Sequence, residues 1–307
     1  MPPKKNLIIG AACGYDLEYL RPFIHSYTLN CPEAECVFII GTNASPDLLL
    51  ALDNAGITTV QVDTSPPLLS RTMYRALIHL LPNSILDNMS RNNPKRIENA
   101  LSAYMKISSA RYFIYKRIVE ESDWADCILL TDTRDVVFTG DIFESAHTLK
   151  KDTLKIALES DTVKIENERF TAQWIKKAYG QQRCEQLKHN RISCSGTTMG
   201  NREAILMYLS KMTSEMMRLK KRIRKGRGWD QGIHNVLLWQ KELGTTQFSQ
   251  TNSGDIATMG LEDKDACQFN PEDFTATWSN GTKINLIHQF DRHETLCQQI
   301  ENATSSD

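Results

Sequence analysis

The side chains best suited to chemistry gather in Asp132-Thr133-Arg134-Asp135. The residues from Cys127 to Leu130 are all apolar, which reads as a strand buried on both faces, and the charged tetrad follows close on its carboxyl end. Open α/β sheets bind ligands at that end. Two carboxylates and a guanidinium there are costly to bury unless a cation or a phosphate compensates them. The competing reading is a structural ion pair capping the strand.

Four other stretches carry similar promise. Asp230, between Trp229 and Gln231, lies at or near the amino end of a helix, where capping is the ordinary role of Asp; its neighbours add stacking and hydrogen-bonding groups that a cap does not require. His288 directly follows Ile284-Asn285-Leu286-Ile287, again polar chemistry at a strand end, although a single His is commonly structural. Ser193-Cys194-Ser195-Gly196-Thr197-Thr198 reads as a small-residue loop offering N–H groups and hydroxyls to a sugar or phosphate, or as a plain bulge. Lys220 to Arg227 is a run dense in cations, either a solvated helix end or a clamp for diphosphate, an acidic acceptor or an anionic membrane surface.

The elements that must position these groups follow from periodicity. Asn6 to Cys13 is a strand ending in small residues, with a helix from Asp16 toward Asn30 after it. Cys36 to Ile40 is a second strand, Asp47 to Asn54 a helix behind a Ser cap, and Thr58 to Val62 a third strand. This β-α-β-α-β order implies parallel strands and a nucleotide-sized crevice at their carboxyl ends. From Ser65 the pattern is less regular, with helices over 68 to 81 and 97 to 121 flanking a polar turn, Asn88 to Pro94. In the second helix Ile107, Ala110, Tyr112, Ile114, Tyr115 and Ile118 share a side, and Arg111 projects near the end of the next strand, as an anion partner or a solvated arginine. Further on are a strand at Leu154–Leu158 ending at Glu159, a helix at 168 to 187 interrupted by Gly180, and a long helix from Arg202 with a Met-rich core stripe. An apolar helix at Val236–Leu243, late strands at Asp255–Gly260 and Lys283–His293, and a short last helix at 294 to 301 complete the pattern, with Ala303 to Asp307 fraying.

Composition narrows the classes. The chain has 307 residues, 41% of them hydrophobic, enough for a full core. With 36 Lys+Arg against 37 Asp+Glu, no global field argues for nucleic acid as a partner. No apolar run is long enough for a membrane span or signal segment. The eight cysteines form no CxxC pair and no zinc-like spacing, so reduced core thiols and a cytoplasmic location are expected.

Taken in order, the pieces from about residue 6 to 293 resemble the GT-A glycosyltransferases, nucleotide-sugar-dependent enzymes on a Rossmann-like sheet. The stretch Leu130-Thr-Asp132-Thr-Arg-Asp135 looks like the family's acidic DxD-type motif, Ser193 to Thr198 like its glycine-containing loop, Trp229-Asp230-Gln231 like its acidic motif beside the reacting sugar, and Ile287-His288 like its carboxyl-terminal histidine ligand. The resemblance implies an α/β fold with a mainly parallel central sheet flanked by helices. It implies one domain, with a nucleotide-binding half at about 6–140, an acceptor half at about 141–293 and a tail at 294–307. The nucleotide sugar would be held by Ala11, Ala12, Cys13, Tyr15, Arg111, Asp132, Arg134, Ser195 and Gly196. Asp230 and Gln231 would take the catalytic places. Asp132, Asp135 and His288 would hold Mn²⁺ or Mg²⁺, the acceptor being a glycan or other hydroxyl. One departure is plain: a strict DxD from Asp132 needs an acid where this chain has Arg134, which leaves Asp135 and His288 as the principal metal ligands and Arg134 as a neutraliser of diphosphate charge. A nucleotidyltransferase would use the same sheet, but its basic glycine-rich loop has no match in Ala11-Ala-Cys-Gly-Tyr15. A non-catalytic nucleotide-sugar binder is the other alternative.

Overall fold

A computed structural model describes residues 5–63, 68–146, 149–223 and 228–305. It opens with the expected unit of β1 (Lys5–Ala11), α1 (Leu17–Asn30), β2 (Ala34–Gly41), α2 (Pro46–Asn54) and β3 (Ile57–Val62), the strands pairing in parallel. Ser45 caps α2, accepting from the Leu48 N–H at 3.2 Å, with Pro46 opening the helix.

The helical cover comprises α3 (Leu68–Leu80), α4 (Asn83–Asn92), α5 (Pro94–Tyr104) and α6 (Ile107–Glu121), ahead of β4 (Ala125–Thr131). Two expectations are corrected here. The polar stretch Asn88 to Pro94 is not a turn: α4 runs through it, and Asn93 then caps α5 by accepting from the Arg96 N–H, with Pro94 at the first helical position. The helix expected over 97 to 121 is split at Met105 and Lys106, which are extended. No Pro or Gly marks this break, and Tyr104 and Met105 beside it are buried in the core. Ser65 to Pro67, where the irregular section begins, lie outside the described residues.

The second half contains β5 (Val136–Phe138), β6 (Thr153–Leu158), α7 (Arg169–Tyr179), α8 (Gln181–Leu187), β7 (Ser193–Asn201), α9 (Arg202–Arg218) and α10 (Lys220–Ile223). After these come α11 (Trp229–Trp239), β8 (Thr245–Ser249), β9 (Ile256–Thr258), β10 (Cys267–Asn270), β11 (Thr275–Trp278), β12 (Lys283–Ile284), β13 (Leu286–His288) and α12 (Glu294–Thr304). The central sheet has the order β3-β2-β1-β4-β7-β6-β8, parallel except that β7 runs against both of its neighbours. β4 sits at its middle. Ile128 and Leu130 face a core shared with α5, α6, α9 and α11, whereas Cys127 and Leu129 face one shared with α1 and α2, so the strand is buried on both faces as its apolar run requires.

Further boundaries differ from expectation. Ser193 to Thr198 is the buried first part of β7 and not an exposed loop, but its pairing with β6 jumps register between Thr198 and Ser193, as the bulge reading anticipated. The helix placed at Val236–Leu243 starts earlier, at Trp229, and ends at Trp239. The late strands are shorter and lie outside the central sheet, β13 pairing with β5 and β9 in a small three-stranded sheet. The last helix extends to Thr304, which is buried, where fraying was expected. In the basic run, Lys220 is buried, its Nζ donating to Leu81 O and Asn83 Oδ1 at 2.8 Å; Arg224 to Arg227 lie outside the described residues. All eight cysteines are free, and among the described residues no helix is long and apolar enough to cross a membrane.

Candidate active site

The carboxyl ends of β1 and β4 and the amino end of β7 border a cleft of about 360 Å³. Because β7 is reversed, with Thr197 opposite Thr131, its first residues reach this edge. The turn after β4 is tied to both neighbours: the Asp132 N–H donates to Gly196 O at 2.7 Å, and Thr133 Oγ1 donates to Ala11 O at 3.0 Å. The Gln289 N–H donates to Asp135 O at 2.7 Å and draws the end of β13 against the same turn.

His288 thereby faces both acids. Its Nε2 lies 3.5 Å from Asp132 Oδ2 and 3.8 Å from Asp135 Oδ1, and one donor atom from each of the three side chains falls within 4.8 Å of the others. The ring is fully buried, yet neither nitrogen makes a hydrogen bond of normal geometry. Orphaned buried polar atoms are rare and costly. A metal ion held between the acids would take Nε2, and a set of two carboxylates and an imidazole suits Mn²⁺ or Mg²⁺, with phosphate oxygens or water completing the shell. The residues fit such an ion. Gly196 makes the approach feasible, since a Cβ there would lie 2.3 Å from His288 Cε1 and 2.7 Å from Asp132 Oδ2.

Arg111, buried on α6, joins this cluster to a third carboxylate. One guanidinium nitrogen pairs with Asp132, and the other lies 3.3 Å from Asp230 Oδ2. Asp230 does not cap α11; the cap position is Gly228, in the left-handed region at φ 75°, and Asp230 is the second helical residue. Burial raises the Asp135 carboxyl above its usual range although His288 opposes this, and burial does the same at Asp230 against Arg111. At Asp132 burial also pushes upward, but Arg111 and His288 outweigh it and hold the carboxyl well below the carboxylate range. Burial disfavours charge on His288, yet Cys194, Asp132 and Asp135 raise its pKa well above the ordinary value. Positive charge is therefore favoured between the two acids, as a proton on His288 or as a bound cation.

Ala11, Cys13, Tyr15, Arg134 and Ser195 also line the cleft. Ala12 does not: it is 1% exposed and packs in the core beneath, because alternate residues of an extended chain point opposite ways. Arg134 lies 2.7 Å from Asp291 and 3.6 Å from Asp135, so its charge is already shared. Gln231 lines the wall, but its amide is committed to the protein, donating to Glu159 at 3.1 Å and Thr171 at 3.2 Å and accepting from Cys194. It positions the wall. Sequence reasoning missed Glu159, Trp174, Gln289 and Arg292 as parts of the site or its support. Glu159 carried the same strand-end signal as Asp132; Trp174 carried none, being one aromatic on an amphipathic helix.

No family model matches the sequence, and no curated protein matches it. In structure the chain is similar to the galactosyltransferase LgtC, solved in complex with donor and acceptor sugar analogues. The two share 14% sequence identity at a TM-score of 0.52, covering 98% of this chain and 95% of that one. At that identity the likeness speaks for architecture, and it covers the sheet, its helices and the small sheet carrying His288 together. The chain has the GT-A glycosyltransferase fold over nearly its whole length.

Proposed function

We propose that the protein is a glycosyltransferase that moves a sugar from a nucleoside diphosphate sugar to an acceptor hydroxyl, with a glycan as the acceptor. The observation carrying this reading is the convergence of Asp132, Asp135 and His288 on one point, bridged by Arg111 to Asp230 in the same cleft. Small residues at the end of β1 let the nucleotide approach the backbone, and Tyr15 offers a ring beside it. A divalent ion held by the three ligands would supply Lewis-acid neutralisation of the diphosphate. Arg134, which lines the cleft beside Asp291 and Asp135, is the side chain we assign to contact the diphosphate oxygens. The acceptor oxygen bonds to the anomeric carbon as the bond to diphosphate breaks, and the acceptor proton must leave. Asp230, more basic than an ordinary Asp, is the group we assign to accept that proton or to orient the acceptor. The proposed nucleotide half spans about 6–140 and the acceptor half about 141–293. The free cysteines accord with a reducing, cytoplasmic setting.

A melting-temperature screen of UDP-glucose, UDP-galactose and GDP-mannose, each with and without MnCl₂, tests the proposal. A bound donor at about 100 times its dissociation constant adds about 2.7 kcal/mol. Mn²⁺-dependent stabilisation followed by release of nucleoside diphosphate supports transfer. Pyrophosphate release from a nucleoside triphosphate and a sugar phosphate would favour the nucleotidyltransferase instead, and stabilisation by none of the nucleotide sugars would sink the reading.

A further inference from the structure

Two aromatic side chains, Trp174 in the cleft wall and Phe170 one turn before it on α7, belong to none of the chemistry above. Trp174 and Phe170 are one turn apart on α7, with ring centroids 6.0 Å apart and planes inclined by 31°. Trp174 lines the cleft alongside Asp230, Gln289 and Arg292. Its indole is seated directly on the first turn of α11: a Cβ on Gly228 would lie 2.1 Å from Trp174 Cε2, and one on Gly232 would lie 3.0 Å from Trp174 Cβ. Gly228 thus lets the indole lie against the start of α11, and Gly232 lets the backbone of α7 at Trp174 approach the same turn. Phe170 continues the aromatic surface outward and is 61% exposed.

We infer that Trp174 and Phe170 are the floor of an acceptor subsite, and that the acceptor is a saccharide of at least two units, its terminal ring on Trp174 and the next over Phe170. This rests on the transferase reading above. A sugar ring has a face of C–H groups that packs on an aromatic ring, while its hydroxyls seek polar partners at the edge. Gln289 and Arg292 line the cleft beside the indole and provide such partners. A ring resting on Trp174 brings a hydroxyl toward Asp230, and Phe170 has no use for a single-ring acceptor. Trp174 and Phe170 act in binding, and so set which acceptors are accepted.

Saturation-transfer NMR on the full chain tests this without turnover, using lactose, maltose and cellobiose as probes and methyl glucoside as a single-ring control. At least one disaccharide is expected to receive saturation on both rings. Phe170→Ala should lower the signal of one ring by roughly threefold or more, the scale of one lost aromatic contact, and Trp174→Ala should remove both while Trp174→Phe keeps part. If Trp174→Ala does not fold, as its melting curve would show, the exposed Phe170→Ala still decides. Absence of transfer to every disaccharide, or equal transfer in wild type and variants, overturns the inference. Melting shifts with UDP-glucose, UDP-galactose and GDP-mannose on the same samples separate the two readings. Nucleotide-sugar binding without disaccharide binding leaves the transferase standing and removes the aromatic floor; the reverse keeps the floor and removes the transferase.

Discussion

Gly196 contributes by what it lacks. Its bare Cα lets β7 pass against His288 and Asp132, and Gly196→Ala would drive a methyl group to 2.3 Å from the imidazole. Overpacking of this kind costs about 1–3 kcal/mol. The variant is expected to melt lower and to lose most of any Mn²⁺-dependent stabilisation, read from melting curves across a Mn²⁺ titration; an unchanged Mn²⁺ response would remove Gly196 from the site. Asp230→Asn separates structure from chemistry, because burial already disfavours this carboxylate and Asn keeps an oxygen that can accept from Arg111. Melting should change little while turnover at saturating substrates falls by roughly 10²-fold, the contribution of a positioned acid or base; equal rates would take Asp230 out of the mechanism. Glu159 offers a pH test. Burial raises its carboxyl from 4.5 to about 7, so the folded protein binds that proton more tightly than the unfolded chain. Its contribution to stability is full below pH 4.5 and is lost as pH rises to about 7, at about 1.4 kcal/mol per pH unit or roughly 3 kcal/mol in all. Glu159→Gln should flatten the stability profile across that window in denaturant titrations. At this scale the sequence was legible where a buried strand ended in charge, as at Asp132, Asp135 and His288. The contacts of Gln231 were not legible, because its amide partners Glu159, Thr171 and Cys194 lie far from it in the chain.

Elements were readable where local signals and packing agree. Ser45-Pro46 starts α2, Gly180 at φ 92° ends α7, and the apolar run of β4 finds cores on both faces. They were not readable where packing overrides local preference, as at the Met105–Lys106 break and in β7, whose small hydroxyl residues look like a loop until neighbours on both sides supply its ladder. The start of α11 is the junction most sensitive to substitution. Gly228→Ala would force a left-handed φ on a residue with a Cβ, at about 1–2 kcal/mol, and would press that Cβ into Trp174. The expected result is a lower melting temperature together with altered tryptophan fluorescence; a silent substitution would mean the indole is not held as described.

Across the whole molecule, the cleft draws on segments far apart in the chain. The Arg134–Asp291 pair spans 157 positions and the Arg111–Asp230 pair spans 119. General α/β pattern was enough to anticipate the sheet, but not the small sheet in which β13 is held by β5 and β9, because strands of three residues are too short to show a period. That small sheet governs the order in which the protein can become itself. The carboxylate pair belongs to an early-sequence unit of mostly local crossovers, while the imidazole arrives only after the chain has closed its longest loops, the slow and entropically expensive part of folding. A partly folded chain would hold the two acids beside Arg111 and Arg134 but without the imidazole that completes the set. Native-state hydrogen exchange should reveal this as a linkage: added Mn²⁺ is expected to slow exchange at Leu286–His288 and at Thr131–Asp135 in concert, since a ligand that spans both segments ties their opening into one event.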